Sequence, residues 1–242
     1  MKFFRLSANQ PLASGGNLMG MKMVSHRNIR RVVGLLCAAS TSAAFAGASS
    51  TFDANDEGWK LFGDSTTSNP SYIAAGGNPG GYIHGTDLTI GGVWYWQAPA
   101  KFLGDNSKSY GQSLSFELRM RRSGSLFADS DVVLAGGGLT LVYDFAAVPV
   151  SAAWTHYSVA LSETAAWKVS TLSGAAATKA QIQTVLGATT ALRLRGEFIT
   201  GTDNGDLDNV ILSAVPEPET YAMFLAGLGI LGAVAGRRRT ID

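Results

Sequence analysis

The chain has 242 residues, of which 46% are hydrophobic and 15% charged, and 29 are glycine. This composition excludes an intrinsically disordered protein, and the glycines follow no collagen period. The 19 basic and 18 acidic residues nearly cancel. Because binding to nucleic acid needs a basic face, we expect no nucleic-acid partner.

An export signal is predicted near the N-terminus. Four basic residues open it without any acidic one: Lys22, Arg27, Arg30 and Arg31. An apolar stretch follows over residues 32–46, with Ala44 and Ala46 as the small residues that signal peptidase requires at positions −3 and −1. We therefore expect an upstream extension and signal peptide over residues 1–46, with the Sec translocase and signal peptidase as partners. An uncleaved membrane helix is the alternative, but the apolar run is short for one.

The single cysteine of the chain, Cys37, lies inside this signal. A lipoprotein signal places a small residue directly before its cysteine, whereas Leu36 stands here, so we do not expect lipidation. The mature chain then has no thiol, disulfide or cysteine-bound metal. Its stability must come from its own core or from bound ions.

A second targeting segment is predicted over residues 215–242. Pro216, Glu217 and Pro218 break secondary structure, and the uncharged stretch 221–236 follows. As a helix, this stretch would be about 24 Å long, a little short of the ~30 Å hydrocarbon layer. Three arginines follow it and can extend to the interface: Arg237, Arg238 and Arg239. We expect a single transmembrane helix with a cytoplasmic C-terminus, and a buried core helix is the alternative.

The order of Pro-Glu-Pro, apolar helix and arginine cluster resembles the PEP-CTERM sorting signal of Gram-negative bacteria. The resemblance covers residues 215–239 and implies recognition by an exosortase, a membrane transpeptidase-like cysteine protease. Pro216, Glu217 and Pro218 would be recognised as substrate features. The resemblance further implies a body held transiently at the inner membrane and then delivered to the cell surface or released, in association with exopolysaccharide.

The body, residues 47–214, has the pattern of a β-protein. Residues 47–213 contain 15 acidic and 10 basic residues, a net charge of −5. Period-two alternation over residues 113–121 places one apolar set on a single face: Leu114, Phe116, Leu118 and Met120. Residues 131–135 and 139–144 alternate similarly around Gly136–Gly138, which predicts a hairpin.

Two later stretches, residues 154–161 and 191–199, continue the alternation. In the second, Leu192, Leu194 and Phe198 are predicted to point inward. The polar residues between them are predicted to point outward: Arg193, Arg195 and Glu197. We expect about eight strands in total.

One short helix is predicted among the strands. Thr178 and Gln181 fit a capping box, and Ile182, Val185 and Leu186 follow at helical spacing. We expect this helix to cover a sheet edge or one end of the sandwich. Antiparallel strands with glycine-rich connections predict an all-β fold, a jelly-roll-like antiparallel β-sandwich.

Several segments together resemble a laminin B domain, also called laminin IV type A. They are residues 52–59, 76–83, 94–105, 136–138, 192–198 and 205–210. The resemblance spans about residues 52–212. It implies a fold similar to carbohydrate-binding jelly rolls and an extracellular adhesion or binding module without established catalytic activity. The cysteine-rich repeats that flank laminin domains are absent here, which argues against a role in laminin-type matrix assembly.

Catalytic residues are not evident in the body. Its two histidines, His84 and His156, accompany no Gly-x-Ser-x-Gly motif. A glycosidase needs two opposed carboxylates about 5–10 Å apart, for which Glu117 and Glu197 are the candidates. Pairing of these carboxylates with arginines across strands is the simpler interpretation.

A calcium site is one hypothesis for the two ends of the body. Acidic side chains cluster at its start, as Asp53, Asp56 and Glu57, and near its end, as Asp203, Asp206 and Asp208. A jelly roll brings its first and last strands together, and calcium takes 6–8 oxygen ligands. The alternative is that these Asp and Asn residues only form turns.

Trp94 and Trp96 are predicted on one side of a strand, with Tyr95 on the other. An exposed pair would stack on sugar rings, whereas a buried pair would belong to the core. From these features and the two resemblances we expect an exported cell-surface or extracellular-matrix protein with a binding or structural role, associated with exopolysaccharide, that is not an enzyme. An enzyme acting on surface glycans and a purely structural matrix component remain the alternatives.

Overall fold

The computed structural model describes residues 47–65, 68–87, 91–121, 124–149, 152–201, 203–215 and 225–230. The chain divides into two units, Met1–Thr41 and Ser42–Asp242, and all described residues belong to the second. The predicted cleavage residues Ala44 and Ala46 lie outside the described residues. So do Pro216–Pro218 and the three C-terminal arginines, and these predictions stay predictions.

Two antiparallel sheets, each of six strands, make up the described body. The first sheet contains β1 (Ala48–Ser50), β3 (Ser71–Ile73), β4 (Tyr82–Thr86), β6 (Ser113–Arg121), β9 (Thr155–Ala160) and β12 (Asn204–Leu212). The second contains β2 (Lys60–Gly63), β5 (Trp94–Gln97), β7 (Val132–Gly136), β8 (Leu139–Tyr143), β10 (Lys168–Val169) and β11 (Thr189–Arg195). The described residues thus form twelve strands, more than the eight expected, and the predicted jelly-roll-like sandwich is confirmed.

The order of strands in each sheet differs from their order in the chain. The first sheet runs β3-β4-β12-β6-β9, with β1 also paired to β12, and the second runs β10-β8-β7-β11-β5-β2. The first and last strands are neighbours, since Ala48 pairs with Leu212. This confirms the expected proximity of the two ends of the domain.

Strand β6 confirms the alternation predicted from the sequence. Its apolar side chains at Leu114, Phe116, Leu118 and Met120 are buried between the sheets, each at most 2% exposed. The residues between them lie on the opposite face of the first sheet. The β7–β8 hairpin is also confirmed: Gly137 and Gly138 both have positive φ, 55° and 78°, which suits a two-residue turn.

Trp94 and Trp96 of β5 belong to the core. Both are 0% exposed, and their rings meet edge to face with centroids 5.0 Å apart. Glycines leave room for them: a Cβ on Gly196 would lie 2.1 Å from the Trp94 ring, and one on Gly85 would lie 2.8 Å from both rings. The hypothesis that these two residues stack on glycans is therefore wrong, because no ring face reaches solvent.

The single α-helix within the described body, α1 (Lys179–Gly187), begins as predicted. Thr178 accepts a hydrogen bond from the Gln181 backbone, and the Gln181 side chain accepts one from the Thr178 backbone. The helix contacts the β7–β8 hairpin, and a Cβ on Gly136 would lie 2.4 Å from the Val185 carbonyl oxygen. It therefore covers one end of the sandwich, as expected.

The segment from Asn204 to Asp208 is not a turn. It begins β12, the strand between β4 and β6 in the first sheet. Left-handed backbone occurs only later, at Asn209 with φ of 49°, where the pairing of β12 with β6 shifts register. Asp206 and Asp208 are therefore fixed on a central strand rather than free in a loop.

Strand β11 ends at Arg195, earlier than predicted. Leu192 and Leu194 are buried as predicted, but Arg195 and Glu197 are also buried, only 2% and 3% exposed. Arg195 keeps to the alternation, since it lies opposite Tyr95 whereas Leu194 lies opposite Trp96, but the side chains of Phe127 and Phe198 cover its guanidinium group. Glu197 comes after the end of the strand, so the alternation of β11 does not set its direction. Both positions are therefore buried, although the pattern indicated a polar outer face.

Candidate functional site

Polar side chains of three neighbouring strands meet on the outer side of the first sheet. The strand register places His84 opposite Asp206 and Asp206 opposite Arg119. Asp208 and Glu117 are opposite each other in a second row. We call this surface the polar face and define it by these residues with their neighbours Tyr82 and Trp154. The inward side chains of the same strands pack in the core.

The first row is held by an ion-pair network centred on Asp206. One carboxylate oxygen of Asp206 lies 2.7 Å from His84 Nδ1, and the other accepts a hydrogen bond of 2.8 Å from Arg119 Nε. Nε2 of His84 lies 3.2 Å from the Thr86 hydroxyl. The Asp206 side chain is only 4% exposed, whereas that of His84 is 32% exposed. The network fixes the polar groups in place and leaves the imidazole edge open to solvent.

Two aromatic rings enclose the guanidinium group of Arg119. Its centre is 4.4 Å from the Trp154 ring centroid and 4.7 Å from that of Tyr82. The two rings also meet edge to face at 5.6 Å. Arg119 Nη1 and Trp154 Nε1 both donate to the carbonyl oxygen of Gly76, at 3.1 and 3.2 Å. Trp154 is half-buried, so part of its ring is accessible beside a fixed cation.

The second row is tied to a glycine-rich loop through Asn78. The Asn78 backbone N–H donates to Asp208 at 2.6 Å, and its side-chain amide donates to Glu117 at 2.8 Å. Asn209 also donates to Glu117, at 3.2 Å. Burial raises the pKa of Asp208 to about 6, although the N–H groups of Asn78 and Asn209 oppose this. Amide donors therefore engage both carboxylates of this row.

Among the predicted calcium residues, Asp53 accepts a hydrogen bond from the Thr51 hydroxyl at 2.8 Å, and Asp208 accepts one from the Asn78 N–H at 2.6 Å. The other residues of that prediction also have protein partners. Glu57 accepts from the N–H groups of Thr51 and Phe52 and pairs with Lys101.

Asp56 accepts from the N–H of Gly58, and Asp206 is engaged by His84 and Arg119. In the part of the chain that the structure describes, no three His, Cys, Asp or Glu residues form a group able to hold a metal ion. A calcium site formed by the two ends of the domain stays a prediction.

The two candidate glycosidase carboxylates are not brought together. Glu117 belongs to the polar face of the first sheet, 3.9 Å from His156 Nδ1, whereas Glu197 follows β11 of the second sheet and is buried. Burial, followed by the charges of Asp87 and Asp203, raises the pKa of Glu197 to about 7. A shared pair of catalytic carboxylates at these two positions is therefore not present.

The sequence interpretation missed the central residues of the polar face. The sequence marks His84 only as one of the two histidines of the body, and Arg119 only as a member of the alternating stretch 113–121. Tyr82 and Trp154 carried no separate signal. The ion pair between His84 and Asp206 joins residues 122 positions apart, so only the strand register makes it visible.

The C-terminal segment is described only over residues 225–230, which are helical. Among the residues that the structure describes, no helix is both long and apolar enough to span a membrane. The rest of the predicted transmembrane helix lies outside the described residues.

Two family models match the chain. One, described as Laminin B (Domain IV), matches residues 95–222, and the other, described as the PEP-CTERM protein-sorting motif, matches residues 214–239. Both predicted resemblances are thereby confirmed. The second match identifies a sorting signal, which implies export and a surface or extracellular location.

The relatives of this chain include laminin subunits. Laminin subunit gamma-1 of Homo sapiens is 36% identical over 139 residues, which are 54% of this chain and 8% of that protein. The chain thus spans less than a tenth of this relative. The L4b domain of human laminin alpha-2 has the same fold, with a TM-score of 0.58 at 16% identity, over 69% of this chain and 97% of that domain.

A family 11 carbohydrate-binding module from Clostridium thermocellum also aligns. It covers 70% of this chain and 96% of the module, at 15% identity and a TM-score of 0.43.

Proposed function

Because the chain belongs to the laminin B (domain IV) family and ends in a sorting motif, we propose that it is a cell-surface binding protein for exopolysaccharide. It acts by binding through the polar face and without catalysis. The observation that carries this proposal is the Arg119 guanidinium held between Tyr82 and Trp154 beside the Asp206 network.

Export and sorting would proceed through both ends of the chain. The Sec translocase carries the body across the inner membrane, and signal peptidase cuts after Ala46. The segment after Val215 then holds the body at the membrane until exosortase recognises Pro216, Glu217 and Pro218. Strand β1 begins at Ala48 and β12 ends at Leu212, so both processing positions lie outside the sandwich.

The chemistry of the polar face suits a sugar chain. A sugar ring offers hydroxyl groups at its edge and C–H groups on its faces, so it needs fixed hydrogen-bonding groups beside an apolar surface. The ion pairs of Asp206 with His84 and Arg119 fix the polar groups in advance, which lowers the entropy lost on binding. The ring of Trp154 supplies the apolar surface.

A hydrolase acting at the same face is the alternative. His84 lies between Asp206 and the Thr86 hydroxyl, a connectivity that in other contexts activates a nucleophile. Arg119 neutralises the same aspartate here, so the carboxylate is less able to stabilise an imidazolium ion. This weakens the case for catalysis and favours binding.

Affinity electrophoresis tests the proposal. The full-length chain, in mild detergent, is run in gels that contain increasing amounts of exopolysaccharide from a PEP-CTERM bacterium, and binding is measured as retardation of the protein band. Trp154→Ala should weaken retardation about tenfold, which corresponds to about 1.4 kcal/mol. Phe62→Ala is the matched control, because Phe62 also packs on an arginine, Arg193, at 3.7 Å, but belongs to β2 of the second sheet. The control should bind as the unaltered chain does.

Absence of retardation of the unaltered chain, or equal loss in both variants, would contradict binding at the polar face. Melting curves of both variants establish that they are folded. Reducing-end assays on the same polysaccharide test the alternative of a hydrolase. If the unaltered chain releases new reducing ends and His84→Ala does not, the polar face is catalytic and the proposal of a binding function is wrong.

A further inference from the structure

The two rows of the polar face differ in charge. In the first row, Asp206 is neutralised by Arg119, whose Nε donates to it at 2.8 Å. In the second row, the carboxylates of Asp208 and Glu117 are opposite each other, and in the described part of the chain neither forms an ion pair with a lysine or an arginine. Burial raises the pKa of Asp208 to about 6, and the charges of Glu117 and Asp53 add to this rise. At pH 7.5 the second row is therefore negative.

Glu117 keeps one carboxylate oxygen available for a ligand. Its Oε2 atom accepts hydrogen bonds from the side-chain amides of Asn78, at 2.8 Å, and Asn209, at 3.2 Å. Its Oε1 atom accepts none from the described residues and lies 3.9 Å from His156 Nδ1. The Glu117 side chain is 14% exposed, so the two amides fix a carboxylate that a ligand can still reach.

An aromatic ring lies diagonally across the sheet from this carboxylate. Glu117 is opposite His156 in the pairing of β6 with β9, and Trp154 comes two residues before His156. The Trp154 ring is on the same face, because it packs on Arg119. Diagonal neighbours on one face of an antiparallel pair are about 7–8 Å apart. A sugar ring packed on Trp154, with one substituent extended towards Glu117, covers this distance.

We propose that the polar face selects polysaccharides with free amino groups, and that Glu117 is the residue that binds the ammonium group. This inference rests on the proposed function, because it names the class of sugar bound at the same face. A primary ammonium group donates three hydrogen bonds and supplies the positive charge that the second row lacks. A sugar carboxylate would meet Glu117 and Asp208 with the same sign of charge, so uronic-acid polymers should be excluded.

The charge of the whole body also attracts cationic polymers, but without selecting a position. Residues 47–213 contain 15 acidic and 10 basic residues, a net charge of −5. The test must separate contact at Glu117 from this general attraction. Glu163→Gln is the matched control, because it makes the same change in net charge. Glu163 is exposed beyond the other end of β9, where it accepts a hydrogen bond from the Tyr110 hydroxyl.

Affinity electrophoresis of the full-length chain at pH 7.5, in mild detergent and EDTA, tests the selection. The exopolysaccharide is compared before and after N-acetylation with acetic anhydride, which converts its amines into neutral amides. Acetylation should weaken the retardation of the unaltered chain about tenfold, since a hydrogen bond between charged groups is lost. Glu117→Gln should lose about as much with the untreated polysaccharide and nothing further on acetylation. Glu163→Gln should keep the full difference between the two polysaccharides.

A second variant covers the case in which Glu117→Gln does not fold. His156 is opposite Glu117, and its side chain is 62% exposed, so His156→Lys leaves the core unchanged. The new ammonium group would occupy the Glu117 carboxylate in place of the sugar amine. Acetylation of the polysaccharide should then make no difference to binding. His156→Gln, which adds no charge, is its control and should keep the tenfold difference.

Three results would overturn this inference and leave the binding function in place. One is equal retardation of the unaltered chain before and after acetylation. Another is an equal loss in Glu117→Gln and Glu163→Gln, which would mean general attraction. The third is a loss of retardation when the carboxyl groups of the polysaccharide are reduced to alcohols, which would identify an acidic sugar as the ligand. Absence of retardation by the untreated polysaccharide would overturn the binding function, and this inference with it.

Discussion

Replacing Arg195 with methionine should strongly destabilise the fold. The Arg195 guanidinium is buried, with Phe198 at 4.5 Å and Phe127 at 4.6 Å from its centre. It donates to Asp131 at 3.2 Å and to backbone oxygens of Asp129, Phe127 and Glu197. Methionine keeps much of the apolar stem but removes the charge and all of these donors.

The size of the expected loss of unfolding free energy follows from Asp131, the partner that loses its cation. The Asp131 side chain is only 7% exposed, so in Arg195→Met it becomes a buried carboxylate without its cation. Breaking a buried ion pair in this way costs about 3–5 kcal/mol. Burial already raises the pKa of Asp131 to about 6, against the lowering effect of Arg195. At pH 5 the carboxyl is largely protonated, so the cost there should fall to about 2 kcal/mol.

Urea unfolding measures the loss of unfolding free energy in Arg195→Met at pH 7.5 and at pH 5. The full-length chain is used, and unfolding is followed by tryptophan fluorescence. Arg193→Met is the matched control from the same strand, since Arg193 is half-buried and packs on Phe62. It should cost about 1 kcal/mol at either pH. Asp131→Asn combined with Arg195→Met should recover part of the loss, because no buried charge then remains.

The reasoning would be refuted by a loss for Arg195→Met no larger than that for Arg193→Met. It would also be refuted by a loss that is the same at both pH values, since the argument assigns the cost to the charge of Asp131.

Three further outcomes are expected. The folded-state pKa of Glu197, about 7, lies above its ordinary 4.5, so its stabilising effect is complete at low pH and is lost as pH rises. Relative to Glu197→Gln, the unaltered chain should therefore lose about 3 kcal/mol of unfolding free energy between pH 4.5 and pH 8, as urea titrations of both chains would measure. Trp96→Ala should cost about 3–5 kcal/mol in thermal unfolding, because the ring is fully buried. Thr178→Ala should cost about 1 kcal/mol and Thr178→Ser little, by the same assay, since only the hydroxyl caps α1.

Local patterns in the sequence predicted the parts of the fold that depend on neighbouring residues. The alternation of β6, the glycine turn between β7 and β8, and the capping box of α1 are each contained within a few positions. Their physical cause is local, since alternation fixes which face is buried and a cap satisfies the first helical turn.

The candidate sites could not be predicted in the same way. The pairing of His84 with Asp206 depends on β4 and β12 being neighbours in the sheet, which requires the strand order of the whole domain. The burial of Arg195 and Glu197 depends on where β11 leaves the sheet and on Phe127 from a distant loop. Acidic residues near the two ends suggested calcium there, whereas in the structure Glu57, Asp206 and Asp208 accept hydrogen bonds from residues that the sequence pattern did not point to.

The chain enters and leaves the sandwich at neighbouring strands. Strand β1 pairs with the last residues of β12, and the Val215 N–H donates to the Lys108 carbonyl oxygen at 3.0 Å. A cut after Ala46 precedes the first of these strand pairs, and Pro216 follows the Val215 contact. Neither processing step would remove a residue of either sheet. Because the polar face uses β4, β6 and β12, sorting and binding rely on separate parts of the chain, and removing the sorting segment leaves the proposed binding residues intact.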